Sequence, residues 1–159
     1  MNNYKITIEY DGTNFVGWQR QENGSSIQQL IEEAIEKLIN NKTTIFGAGR
    51  TDSGVHAKGQ VASFELEKNL DTDIIRDGLN HYLRPHPIAI LSAEKVNSDF
   101  NARFSAKLRW YEYKVINRRP PLTLDSNRIW CVHKNINVDK IIEQSEYFLG
   151  KHDFSAFRS

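Results

Sequence analysis

Apolar and polar residues alternate over residues 4–10 (YKITIEY). This period of two predicts a strand with one buried face. Further on, Ile27, Leu30, Ile31, Ala34, Ile35, Leu38 and Ile39 recur at helical spacing behind Ser26 and Gln29, a capping-box pair. The pattern predicts an amphipathic helix that Asn40 and Asn41 end. Residues 43–46 and 60–66 read as strands, the second with Ala62, Phe64 and Leu66 on one face. Thr72 is positioned to cap a second helix bearing Ile75, Leu79 and Tyr82, which Pro85 and Pro87 stop before a buried strand at 88–91. Glycines 12, 17 and 24 mark the stretch after the first strand as a long loop.

The order strand, helix, strand, strand, helix, strand predicts an α+β fold. The expected architecture is a ferredoxin-like, RRM-like split βαβ domain over residues 1–97. A second α/β unit is expected over 98–159. It has a strand at 108–116, an apolar strand-like run at 129–132, and a helix face of Val138, Ile141, Ile142, Tyr147, Phe148 and Leu149 that Gly150 caps. A helix with an apolar face buries it against a sheet. The reading therefore expects this second unit to be cut short and related to the first.

Charge adds detail that hydropathy does not. The 159 residues carry 21 Lys and Arg against 20 Asp and Glu, a net +1, but unevenly. Residues 103–119 hold six cations (Arg103, Lys107, Arg109, Lys114, Arg118, Arg119) against Glu112 alone, a net +5. Residues 65–77 hold five acids against Lys68 and Arg76, a net −3. One stretch attracts polyanions and the other repels them; each also fits a solvated face. No apolar run exceeds four residues, so the chain has no membrane span, and the N-terminus lacks the apolar core of a signal peptide. Cys131 is the one cysteine, which leaves no disulfide framework and no cysteine-based zinc site. A soluble, reducing, cytoplasmic setting is expected.

Candidate chemistry concentrates in the loop at 47–56, where Gly47, Gly49 and Gly54 permit close backbone approach and positive φ. Arg50, two residues before Asp52, can orient and ionise that carboxylate. A carboxylate so held can serve as nucleophile or base, and the same spacing fits a structural turn. The loop lacks the Lys-Ser/Thr of a phosphate-binding P-loop, His56 has no second His or Cys at metal-ligand spacing, and Ser53 has no paired histidine base. A carboxylate-dependent hydrolase would need a second carboxylate near Asp52, and no motif supplies one. Phe100, Phe104, Trp110, Tyr111 and Tyr113 interleave with Arg103, Lys107 and Arg109. Rings beside cations suit an unstacked base and its phosphates, although such rings also build cores. Tyr111 and Tyr113 share one face of the expected strand, and Trp110 points the other way as a packing residue.

Three stretches together resemble signatures of the tRNA pseudouridine synthase A family: YDGTNFVGWQRQ (residues 10–21), GRTDSGVHA (49–57) and FNARFSA (100–106) followed by YEY (111–113). The ending GKHDFSAFR (150–158) is also similar. The likeness runs in register over nearly the whole chain. One departure is LRPHP at 83–87, where the family has a plainer turn; another is that family chains run longer, with further strands walling the cleft.

The resemblance implies an isomerase, an intramolecular transferase, that converts uridine to pseudouridine in the tRNA anticodon stem-loop at positions 38–40. It implies no cofactor, no metal, and a homodimer of two-domain subunits. Asp52 takes the nucleophile's position and Tyr111 that of the tyrosine stacking on the target base. Arg50 takes that of a residue contacting tRNA and pairing with the aspartate. Phe100, Asn101, Ala102, Arg103 and Phe104 fall in an RNA-binding segment. The chemistry agrees: the N1–C1′ bond breaks, the base rotates and rejoins through C5, and a carboxylate can form a transient bond or remove a proton. The base must leave its stack to react. The alternative reading is a non-catalytic RNA-binding module, and the chain alone is expected to be inactive.

Overall fold

The structure is a computed structural model that describes residues 1–157; Arg158, the last residue of the ending motif, lies outside the described residues. The fold is α+β and divides into two compact units, Met1–Tyr111 and Glu112–Ser159.

The first unit runs β1 (Asn2–Tyr10), α1 (Ile27–Ile39), β2 (Phe46–Gly47), β3 (Ala57–Leu66), α2 (Thr72–Leu83), β4 (Ile88–Val96) and a short α3 (Ala102–Ser105). Its sheet has the order β2-β3-β1-β4, with every neighbouring pair antiparallel. The alternation in β1 is realised: Tyr4, Ile6, Ile8 and Tyr10 are buried. They face Ile27, Ile31, Ala34 and Ile35 of α1 and Ile75, Leu79 and Leu83 of α2 in one core. The opposite sheet face is polar, and there Lys5 pairs with Glu94 at 2.9 Å.

Both helices start on side-chain caps, one of them shifted from expectation. Ser26 Oγ accepts from the Gln29 N–H at 3.3 Å, while the Gln29 amide turns to Glu33 instead of closing the box. Asn40 ends α1 in the left-handed region at φ 56° and donates its N–H to the Glu36 carbonyl. The second helix is capped by Asp71, not Thr72: an Asp71 carboxylate oxygen accepts from the Asp73 N–H at 2.8 Å. An Asp or Thr side chain can take this place, and Asp71 stands one residue outside the helix where the acceptor is needed.

Two expected strands are shorter than the pattern suggests. Of the 43–46 stretch only Phe46 joins β3, opposite Ser63, with the following Gly47 opposite Ala62. In the strand expected at 108–116, residues 108–114 form no ladder, and pairing begins only with β5 (Val115–Asn117). Alternation marks which side chains could share a face, but a strand also needs a partner for its N–H and C=O groups. Trp110, expected to pack, is 86% exposed.

The first unit also extends past residue 97. Asn3 is buried, and its amide donates to the carbonyls of Asn97 and Phe100, both at 2.8 Å. The Ala102 N–H donates to the buried Ser63 Oγ at 3.0 Å. These bonds dock the 97–102 segment and α3 on the sheet face opposite α1 and α2, because Asn3, Lys5 and Ser63 share that face through the β1–β3 register.

The second unit holds β5, β6 (Trp130–Val132) and α4 (Val138–Ser145). The two strands pair in parallel. The expected helix through Leu149 stops at Ser145, whose hydroxyl donates back to the Ile142 carbonyl at 2.7 Å, and a 3-10 turn (Glu146–Phe148) follows. Gly150 has φ +101° but sits beyond that turn, so it does not cap α4. No described residue of this unit is buried.

Candidate active site

The Asp52 turn hangs from the loop that follows β1. The Trp18 N–H donates to the Thr51 carbonyl at 2.9 Å, and the Gly54 N–H to the Phe15 carbonyl at 3.3 Å. Ser53 Oγ donates to the same Phe15 carbonyl at 3.1 Å, and the Val55 N–H closes the turn on the Asp52 carbonyl at 3.2 Å. Phe15 and Trp18 are themselves buried, so the supporting loop is anchored in the core. Gly17 makes the approach possible: its φ is +114°, and a Cβ there would lie 2.6 Å from the Thr51 carbonyl oxygen. Among the three glycines of the 47–56 loop, Gly54 takes positive φ (+78°).

Side chains complete the mounting. Tyr10 Oη lies 2.8 Å from Thr51 Oγ1, and burial pushes the Tyr10 phenol above its ordinary pKa, with the Thr51 hydrogen bond opposing in part. The ring is thus a neutral hydrogen-bonding strut beside the Asp52 turn. The Gly12 N–H donates to His56 Nδ1 at 3.1 Å, and Asp11 Oδ1 lies 3.1 Å from that same nitrogen. Nδ1 is thus the acceptor for the Gly12 N–H. His56 therefore ties the end of the turn to the end of β1.

Asp52 and Arg50 are both exposed. Among the described residues no ion pair joins them, in contrast to the expected orienting guanidinium. Close sequence spacing does not force contact here: the hydrogen bonds that shape the turn run through its main chain. Asp52 is accordingly presented by backbone mounting.

The 100–104 segment divides in two. Asn101 caps α3, its Oδ1 accepting from the Arg103 N–H at 3.0 Å, and Ala102 is buried against Ser63. Phe100 and Asn101 line a cleft of about 280 Å³ with Phe46, Ser63, Glu65 and Lys42. Arg103 and Phe104 point to solvent, the guanidinium 5.5 Å from the ring centroid. Tyr111 is 66% exposed and lies outside any strand. Neither Asp52 nor Tyr111 lines the 280 Å³ cleft. Among the described residues no three His, Cys, Asp or Glu side chains cluster as metal ligands.

Three contributors are not evident from the sequence alone. Phe15 and Trp18 looked like loop residues, yet they anchor the loop that carries the Asp52 turn. Large aromatics between closely spaced glycines were the available signal. Arg109 looked like one cation among six, yet its guanidinium donates to the Ala48 carbonyl at 3.0 and 2.6 Å.

Known proteins match most of this chain. Residues 6–105 match the family model described as tRNA pseudouridine synthase. The chain is 56% identical over 157 residues to the tRNA pseudouridine synthase A of Ehrlichia chaffeensis, covering 98% of this chain and 64% of that protein. It is 52% identical over 159 residues to that of Parvibaculum lavamentivorans, covering 100% of this chain and 65% of the relative. Against that of Paramagnetospirillum magneticum the identity is 48% over 159 residues, with 100% and 62% covered. The chain thus spans just under two thirds of the length of these curated relatives. The matched region contains the second half of β1, the loop carried by Phe15 and Trp18, the Asp52 turn and α3, and on this match the chain belongs to the tRNA pseudouridine synthase family.

Proposed function

We propose that this protein isomerises uridine to pseudouridine in the anticodon stem-loop of tRNA, at positions 38–40, with Asp52 as the nucleophile. The observation that carries the reading is the Asp52 turn itself: an exposed carboxylate on a main-chain mounting built by residues 12–18. A fixed acceptor loses little orientational freedom when it attacks, which favours covalent catalysis. The reaction is redox-neutral: the N1–C1′ bond breaks, C5–C1′ forms, the proton leaves C5, and N1 ends protonated. Tyr111, exposed and close in sequence to Arg103 and Arg109, is the proposed stacking partner of the flipped base. Arg50 and the 100–104 segment are proposed to contact RNA, with Arg103 and Phe104 offering a cation and a ring to solvent.

The rest of the reading is proposed on the same basis. The sheet order β2-β3-β1-β4 with two helices on one face supports a ferredoxin-like split βαβ domain, followed by a related second α/β domain. A homodimer and a cytoplasmic location accompany the family likeness. No helix among the described residues is long and apolar enough to cross a membrane.

The test uses the native-length protein and a tRNA transcript. Asp52→Asn is expected to abolish pseudouridine formation while tRNA affinity stays within a few-fold, since a nucleophile contributes to the transition state and not to uniform binding. Turnover by the Asn variant at a near-normal rate would remove Asp52 from the role. Tyr111→Ala is expected to lower turnover more than affinity, at about 1–3 kcal/mol for one stacked base.

A further inference from the structure

Six cations between residues 103 and 119 read alike in the sequence, as one phosphate-binding run. Arg109 is different. Its Nε and one terminal nitrogen both donate to the Ala48 carbonyl, at 3.0 and 2.6 Å, and that terminal nitrogen lies 3.5 Å from the Arg103 carbonyl. Ala48 is fixed from its other side as well, because its N–H donates to the Val61 carbonyl at 2.8 Å. The next carbonyl, Gly49, accepts from the Gln60 amide at 2.5 Å. Both carbonyls ahead of Arg50 are therefore held by side chains, one from β3 and one from the segment leaving α3.

We propose that Arg109 is a positioning residue of the Asp52 site, tying the backbone at Ala48 to the end of α3 instead of neutralising an RNA phosphate. This rests on the reading of Asp52 as the nucleophile. The planar guanidinium fork suits the task, since it sets two donors on one acceptor and fixes direction as well as distance. Through this tie, the loop that leads into Asp52 and the segment bearing Arg103 and Phe104 share one reference point. Its contribution belongs to turnover and not to the counterion release that governs RNA affinity.

The test measures single-turnover rate and tRNA affinity against salt in the native-length protein. Arg109→Ala is expected to slow the step about tenfold at saturating tRNA, a loss of transition-state positioning, with affinity within about threefold. The slope of log affinity against log salt stays unchanged in that variant, whereas Arg103→Ala flattens it by about one. Arg109→Gln, neutral but still a donor, retains most of the rate and the full slope. It also decides the matter if the Ala variant fails to fold. A flattened slope with full rate at saturating tRNA, in either Arg109 variant, would overturn the proposal and make Arg109 a phosphate ligand. A further arm is independent of the reaction: the carbonyl carbon resonance of Ala48 in the 159-residue chain is expected to move in Arg109→Ala, and an unmoved resonance refutes the tie. Turnover surviving in Asp52→Asn would instead sink the nucleophile reading while leaving that resonance to judge Arg109.

Discussion

Helices α1 and α4 begin alike and end up differently. Each is amphipathic and each starts on a side-chain acceptor, Ser26 Oγ to the Gln29 N–H in α1 and Asn137 Oδ1 to the Lys140 N–H in α4. Yet α1 buries Ile27, Ile31, Ala34 and Ile35, whereas α4 leaves Ile141 and Ile142 more than half exposed. The contrast extends to the units that hold them. The unit Met1–Tyr111 closes a four-stranded sheet around one core, and the unit Glu112–Ser159 has a two-stranded parallel sheet and no described buried residue. Caps and periodicity specify a helix and its apolar side; the facing sheet decides whether that side leaves water.

The sharpest way to break the contrast is to shorten matched side chains. Ile31→Ala and Leu79→Ala are each expected to destabilise the first unit by about 2–5 kcal/mol, since both side chains are fully buried. Ile141→Ala is expected to stay within about 0.5 kcal/mol in urea unfolding of the same chain. A loss at Ile141 equal to that at Ile31 would mean that the α4 face is covered in solution and that the units differ less than described.

A smaller effect is expected at two glycines with positive φ. Alanine at Gly17 meets both the φ of +114° and the Thr51 carbonyl 2.6 Å from the new Cβ, so about 1–3 kcal/mol of strain should appear, with shifted amide resonances at 51–54. At Gly150 the φ is +101°, but the nearest atom to a new Cβ is His152 Nε2 at 3.7 Å. Alanine there should cost about 1 kcal/mol and move only its neighbours. Equal effects at both positions would show that backbone conformation, and not the docking of the Asp52 turn, dominates at Gly17.

Two exposed carboxylates give the smallest contrast. Asp77 is held below the usual carboxylate range chiefly by a hydrogen bond from Arg76, and Asp153 by hydrogen bonds from the Ser155 hydroxyl and N–H. A carboxyl with a depressed folded pKa stabilises the fold above its unfolded pKa and loses that contribution as pH falls through the folded value. Both contributions therefore fade on acidification below about pH 4. Salt should separate them: raising it screens the Arg76 charge and returns Asp77 toward its ordinary value, while Asp153, held by neutral donors, moves less. Carboxyl carbon titrations at low and high salt read both groups, and equal salt responses would overturn the assignment of causes.

Much of the first unit was legible from residue pattern. The strand at 4–10, the helix behind Ser26 and the strand at 60–66 follow from burial periodicity, and each formed where it had a partner. Residues 108–114 also read as a strand and formed no ladder, because residue pattern cannot supply a neighbouring strand. The Asp52 loop was legible through its residue types, but its mounting was not. Main-chain bonds from Phe15 and Trp18 leave no side-chain signature beyond buried aromatics and a glycine. Arg109 was misread as one charge among six because net charge does not reveal which guanidinium already has a carbonyl to hold.

The bonds between the post-β1 loop and the Asp52 turn also bear on the order of folding. Ser53 to Phe15 spans 38 positions, Tyr10 to Thr51 spans 41, and Gly12 to His56 spans 44, with all of α1 lying between. Contacts so remote along the chain demand loop closure before they give anything back. The turn's shape therefore depends on the pairing of β1 with β3, which brings its two ends together. A half-collapsed chain carries the Asp52 sequence without the Asp52 geometry, which arrives together with the finished core.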